Sequence, residues 1–224
     1  MNRKKTALIV AGGTGTRMGA EIPKQFLEIG GKPILHHTIE RFLEYDPKMA
    51  IVVVLPSGSR EWWREYTERT GFLERYAMPS GGITRFHSVQ NALKYVPDGS
   101  IVAVHDGVRP CITVEFLASL FEAARGCDAL VPVLPEEESL RELSDDGSRA
   151  VDRRRFVRVQ TPQIFPAEVL KEAYKQAYSP TFTDDASVVE AAGYVVKLTD
   201  GLKGNIKITT PFDLTVSAPF LCGT

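Results

Sequence analysis

Residues 7–26 read ALIVAGGTGTRMGAEIPKQF, and the rest of the chain is best read outward from them. The run 7–10 is apolar and strand-sized, and it ends in Gly12, Gly13 and Gly15. Lacking a Cβ, these glycines let the backbone turn sharply and bring its N–H groups close to phosphate oxygens. Arg17 and Lys24 add two fixed positive charges just past the turn, and Pro23 restrains the backbone that presents Lys24. The combination points to a nucleoside triphosphate. A dinucleotide fingerprint counted from Gly13 and Gly15 needs a glycine where Met18 stands, and no Gly-Lys-Ser or Gly-Lys-Thr of a P-loop occurs in the chain.

Further apolar runs recur at 50–55, 101–105, 129–133 and 194–198, with amphipathic stretches between most of them. This alternation predicts an α/β fold, a Rossmann-like and mostly parallel sheet flanked by helices. Helices are expected over 34–44 and over 114–125, the second capped by Thr113. In such sheets ligands bind beyond the carboxyl ends of the strands, which puts 12–17 and 106–109 in one crevice. Residues 205–209 (NIKIT) alternate as a strand would, turning Lys207 away from Ile206 and Ile208. His36, His37 and His105 read as packed helix or strand positions, with no histidine cluster suited to a metal.

The charged stretch 136–155 (EEESLRELSDDGSRAVDRRR) carries an Asp-Gly turn signal between two extended pieces and predicts a projecting β-hairpin. Leu140, Leu143 and Val151 are too sparse to anchor it on the core, so a partner subunit is its expected docking place. Asp145, Asp146 and Asp152 sit among its arginines, which argues against nucleic acid. At 224 residues, 43% apolar and 25% charged, the chain suits a single domain over 1–224, with this arm as an appendage. A net charge of -1 offers no general field for polyanions or membranes. Cys111, Cys127 and Cys222 follow no C-x-x-C spacing, and no run has signal-peptide or membrane-spanning length, so a reducing, cytoplasmic setting is expected.

Six more blocks follow the glycine turn: 81–88 (GGITRFHS), 105–110 (HDGVRP), 151–153 (VDR), 160–165 (QTPQIF), 183–187 (TDDAS) and 205–213 (NIKITTPFD). In this order they resemble the 2-C-methyl-D-erythritol 4-phosphate cytidylyltransferases over nearly the whole chain. The family usually reads P-A-A-G where Val10-Ala11-Gly12-Gly13 stands here, a variant shared with enzymes acting on other polyol phosphates. Ribitol 5-phosphate or a similar acceptor is therefore the alternative, while Asp152-Arg153 and the TDDAS block favour the erythritol branch.

The resemblance implies transfer of CMP from CTP to 2-C-methyl-D-erythritol 4-phosphate, with pyrophosphate released, in non-mevalonate isoprenoid precursor synthesis. It implies that Arg17, Lys24 and Lys207 act on the triphosphate, and that Ala11, Gly12, Gly13, Gly15, Gly81, Gly82 and Ser88 hold the nucleotide, with Arg85 bracing the loop. Asp106, Arg109, Ser139, Arg153, Thr161 and Thr183 would face the ribose or the acceptor. A Mg2+ ion would ride mainly on the CTP phosphates, with Asp106 the candidate protein ligand. The implied assembly is a homodimer through the arm. Ser139 and Arg141 stand where the family carries threonine and lysine in A-P-V-x-D-T-x-K, and Glu136 and Glu138 depart from that block. A nicotinamide oxidoreductase lacks its third glycine, and a non-catalytic nucleotide module is opposed by the joint presence of Arg17, Lys24 and Lys207.

Overall fold

The computed structural model describes residues 3–13, 22–73 and 75–222. Its strands are β1 (Lys5–Val10), β2 (Glu28–Ile29), β3 (Lys32–Pro33), β4 (Ala50–Val54), β5 (Ile101–Asp106) and β6 (Ala129–Pro135). There follow β7 (Leu140–Ser144), β8 (Gly147–Val151), β9 (Val157–Val159), β10 (Gln163–Pro166) and β11 (Val196–Asp200). The helices are α1 (Ile34–Tyr45), α2 (Arg60–Thr70), α3 (Arg85–Ala92), α4 (Val114–Ala123), α5 (Ala167–Ala173), α6 (Asp185–Ala191) and α7 (Pro211–Cys222). None of them is long and apolar enough to cross a membrane.

Among the described residues, one seven-stranded sheet runs β11-β6-β10-β5-β1-β4, with β9 also paired to β6. β1 lies between β4 and β5, parallel to both, with Ala7 opposite Ile51 and Ala103. Both faces of β1 are covered, which explains its unbroken apolar run. Ala7 and Ile9 pack with Ile39 and Phe42 of α1, Trp63 of α2 and Leu117 of α4. Leu8 points to the other side, into a core with Phe86 and Val89 of α3, Leu170 of α5 and Val188 of α6. Thr113 caps α4 as expected, accepting from the Phe116 amide at 3.2 Å. The helix stops at Ala123, two residues short of the expected end, ahead of Gly126 at φ 74°.

The hairpin arm also accounts for the part of the sheet that is not parallel. β6 leads out to the arm, and the returning chain pairs beside it antiparallel, first as β9 (Val133 opposite Val159) and then as β10 (Leu130 opposite Ile164). A chain returning from a hairpin tip has no crossover and can pair only antiparallel. β10 is thereby inserted between β5 and β6, while β1, β4, β5, β6 and β11 share one direction. At the tip, β7 pairs with β8 from Leu140 opposite Val151 to Ser144 opposite Gly147. Leu143 is 82% exposed there.

One expected strand does not form. Residues 205–209 run outside the sheet, tied to the loop after β5 by the Ile208 amide on the Val108 carbonyl at 2.9 Å. A single bond to a loop makes no ladder, although the alternation does leave Ile208 buried and Lys207 outward.

Candidate active site

The cleft begins where β1 and β5 end side by side, with Val10 opposite Asp106. The two exits cross closely enough that a Cβ on Gly107 would lie 2.8 Å from the Ala11 Cβ, so the crossing requires a glycine. Gln25, buried, donates from Nε2 to the Ala11 carbonyl at 2.9 Å and so ties the glycine turn to the Lys24 segment. Lys24 opens a single 3-10 turn whose last residue, Phe26, packs on Trp62 at 4.2 Å between ring centres. A lysine on a turn clamped at both ends is presented from a fixed backbone.

The loop 81–88 forms a second wall, close enough that a Cβ on Gly12 would lie 3.3 Å from Ser88 Oγ. The Gly81 amide donates to the Leu55 carbonyl at 2.8 Å, and the Gly82 amide to Ser88 Oγ at 3.0 Å. A Cβ on Gly82 would lie 2.8 Å from the His87 carbonyl carbon, so a side chain there would break the loop. Ser88 Oγ donates to the Thr84 carbonyl at 2.9 Å. With its one proton committed and one lone pair taken by the Gly82 amide, the hydroxyl has a single acceptor position left for the cleft.

The floor is Asp106. Its Oδ2 lies 2.9 Å from Lys207 Nζ and 3.3 Å from Arg109 Nε, and its Oδ1 lies 4.0 Å from Arg85 Nη2. Burial pushes the Asp106 carboxyl up, but the three cations outweigh it and hold it well below the usual carboxylate range. Beneath lies His105, whose pKa burial lowers to about 4, leaving a neutral ring. The Asp106 amide donates to Thr161 Oγ1 at 3.1 Å, and that hydroxyl meets His105 Nδ1 at 3.1 Å. His105 Nε2 then donates to the Arg109 carbonyl at 3.1 Å, and Arg109 Nη1 to the Asn205 carbonyl at 2.9 Å. Two residues on, Lys207 enters the cleft.

The sequence model of the family described as 2-C-methyl-D-erythritol 4-phosphate cytidylyltransferase matches residues 6–222. The chain belongs to this family. A 2-C-methyl-D-erythritol 4-phosphate cytidylyltransferase of Bacteroides fragilis is 51% identical, the match covering 97% of this chain and 99% of that one. Its counterpart in Bacteroides thetaiotaomicron is 49% identical over 97% of this chain and 100% of its own. The crystal structure of the cytidylyltransferase from Thermus thermophilus superposes with a TM-score of 0.76 at 32% identity, covering 99% and 100% of the two chains. A synthase structure from Anaerococcus prevotii shares the fold with a TM-score of 0.82 at 24% identity, covering 98% and 99%.

In this cytidylyltransferase chain, Ala11, Gly12, Gly13, Lys24, Gly81, Gly82, Arg85, Ser88, Asp106 and Lys207 line one cleft of about 560 Å³. Gly15 and Arg17 lie outside the described residues. Arg109 and Thr161, expected to face ligand, are buried under the floor instead, with polar atoms engaged by Asp106, Asn205 and His105. Thr183 is exposed before α6 and does not line the cleft. Ser139 and Arg153 are exposed on the arm and stay away from the cleft of their own chain, where Arg153 donates to the Glu137 carbonyl. Sequence reading missed Gln25, whose amide looks like an ordinary turn residue until its bond to Ala11 is seen. A second hollow of about 620 Å³ lies at the far ends of the strands, where Lys5 pairs with Asp46 and Arg3 with Glu168, remote from the glycine turn.

Asp106 Oδ2 is taken up by Lys207 and Arg109, which leaves Oδ1 as the carboxylate oxygen available toward the cleft. Among the described residues no group of three or more His, Cys, Asp or Glu forms a metal cage. This donor set fits Mg2+ as an ion carried chiefly by phosphate oxygens, with Asp106 contributing at most one ligand.

Proposed function

We propose that the protein is a CTP-dependent cytidylyltransferase that transfers CMP to 2-C-methyl-D-erythritol 4-phosphate and releases pyrophosphate. The observation that carries this reading is one cleft lined both by the cations Lys24 and Lys207 and by the tight loop of Gly81, Gly82 and Ser88. A triphosphate suits the first and a pyrimidine the second.

A phosphate-monoester oxygen of the acceptor attacks the α-phosphorus of CTP, a new P–O bond forms in line, and the bond to the leaving pyrophosphate breaks. The acceptor phosphate has a second pKa of about 6 and is largely dianionic near neutrality, so no strong general base is needed. Buried, neutral His105 lies under the floor and takes no proton in this scheme. The protein's part is to align the two phosphates and stabilise charge on the α-phosphate oxygens. Lys24 and Lys207 perform that stabilisation, with Arg17 joining them. A Mg2+ ion, when bound, neutralises charge on the triphosphate oxygens.

The acceptor side falls to the arm. The protein works as a homodimer in which the arm of one chain brings Ser139 and Arg153 to the other chain's cleft. Support comes from exposed Leu143 on the arm and exposed Phe156, Val157 and Val159 behind it. Three free cysteines suit a reducing, cytoplasmic setting. The test is pyrophosphate release with CTP, Mg2+ and a panel of polyol phosphates. Turnover is expected with the erythritol phosphate, and turnover of ribitol 5-phosphate in its place would overturn the acceptor.

A further inference from the structure

Asp185 is a fully buried carboxylate that no step of the transfer uses. Its Oδ2 accepts from Arg85 Nη2 at 2.6 Å and its Oδ1 from the Tyr174 hydroxyl at 2.6 Å. The backbone around it is equally tied. Asp184 caps α6 by accepting from the Ser187 amide at 2.9 Å. Gln163 of β10 grips the same turn, donating to Asp184 Oδ2 at 2.7 Å and accepting from the Ala186 amide at 2.9 Å. The Tyr174 ring stacks on Phe86, the neighbour of Arg85, at 4.8 Å between centres. Sheet, α5 and α6 thus converge on one guanidinium at the start of α3.

A buried ion pair is a poor device for stability, since apolar residues of similar volume do as well or better. What this pair achieves is direction. Arg85 Nη2 also lies 4.0 Å from Asp106 Oδ1, so two carboxylates compete for it, and the Asp185 contact is the shorter and the more buried. Asp106 is the residue that holds Lys207. With Asp185 neutralised, Asp106 Oδ1 is the carboxylate oxygen left to Arg85, and a swing onto it would move the wall beside Ser88.

We propose that Asp185, supported by Tyr174, is a positioning residue for the nucleotide: it holds Arg85 at the cleft wall and off Asp106. This rests on the CTP reading above. The sign of the effect separates it from simple electrostatics. Removing a negative charge near a triphosphate site should by Coulomb's law tighten CTP binding. Loss of position weakens it.

The experiment measures steady-state kinetics and direct nucleotide affinity for Asp185→Asn, Tyr174→Phe, Arg85→Ala and the Arg85→Ala/Asp185→Asn double variant. Asp185→Asn is expected to raise KM for CTP about tenfold, the scale of one charged hydrogen bond, with kcat changed less than about threefold. Tyr174→Phe moves KM the same way by less. The double variant matches Arg85→Ala alone, because Asp185 acts through Arg85, whereas a merely structural role would add its own loss. An unchanged or lowered KM in Asp185→Asn, or additive losses in the double variant, overturns the proposal. If Asp185→Asn does not fold, an unchanged KM in Tyr174→Phe overturns it instead. A wild type that binds a different nucleotide, and binds it less well in Asp185→Asn, refutes the CTP reading and keeps the brace.

Discussion

Lys207 Nζ lies 2.9 Å from Asp106 Oδ2, so the ammonium that meets the triphosphate in our proposal is held in the cleft by a carboxylate before any nucleotide arrives. The lysine extends from an irregular segment, and this ion pair does what a strand would otherwise do. Lys207→Ala and Lys24→Ala are each expected to lower kcat by about 100-fold or more, the scale of a lost donor to transition-state charge. Steady-state kinetics check this. A loss confined to KM would mean that these lysines serve only ground-state binding.

Ser88 gives a second expectation. Its proton is committed to the Thr84 carbonyl, so toward the base it can only accept, as from the amino group of cytosine. The carbonyl that uracil carries at that position would face an acceptor. CTP should therefore be used at least about tenfold better than UTP, the scale of one hydrogen bond, and the small loop should reject ATP and GTP more strongly. Competition assays with the four nucleotides read this directly. Ser88→Ala should narrow the gap between CTP and UTP, and a gap left intact would remove Ser88 from base selection.

The third expectation concerns pH. Burial lowers the pKa of His105 to about 4 from 6.5, and that of His36 likewise to about 4. The unfolded chain then binds protons that the folded chain refuses. Stability from these sites is complete above pH 6.5 and is lost as pH falls toward 4. The slope is about 1.4 kcal/mol per pH unit for each histidine within that window. Urea unfolding of wild type and His105→Gln between pH 7 and 4.5 should show a shallower slope in the variant. Parallel slopes would mean that His105 is already charged in the folded protein.

The parts of this protein legible from its sequence are those made by short-range chemistry. The glycine turn, Pro23-Lys24 and the Asp-Gly hairpin each declare a backbone shape within a few residues. Lys207 was less legible, because its alternating neighbours read as a strand, yet the segment pairs with no sheet. Arg109 and Thr161 look like ligand contacts in their motifs, since spacing along a chain does not reveal whether a polar side chain points into the cleft or under it. Asp185 stands in the TDDAS block, but its work depends on Arg85, which lies 100 positions away in the chain. The antiparallel direction of β9 and β10 could have been anticipated from the hairpin itself, since a chain returning from a tip without a crossover runs against the strand that led out to it.

The last expectation tests the shared site. If the arm reaches into the partner, each site combines Lys24 and Lys207 of one chain with Ser139 and Arg153 of the other. Lys24→Ala and Arg153→Ala homodimers then have no intact site. In a heterodimer of the two, one site collects both lesions and the other neither. Free exchange in an equal mixture makes half the dimers mixed, each with one good site, so about a quarter of wild-type activity should return under two-fold symmetry. An arm that serves its own chain leaves one lesion in every site, and mixing then restores nothing. Size-exclusion chromatography and circular dichroism establish that each variant alone is dimeric and folded, and differently tagged subunits verify exchange. Absence of recovery after verified exchange would refute the shared site and leave the nucleotide cleft untouched, because Gly81, Ser88, Lys24 and Lys207 all come from one chain.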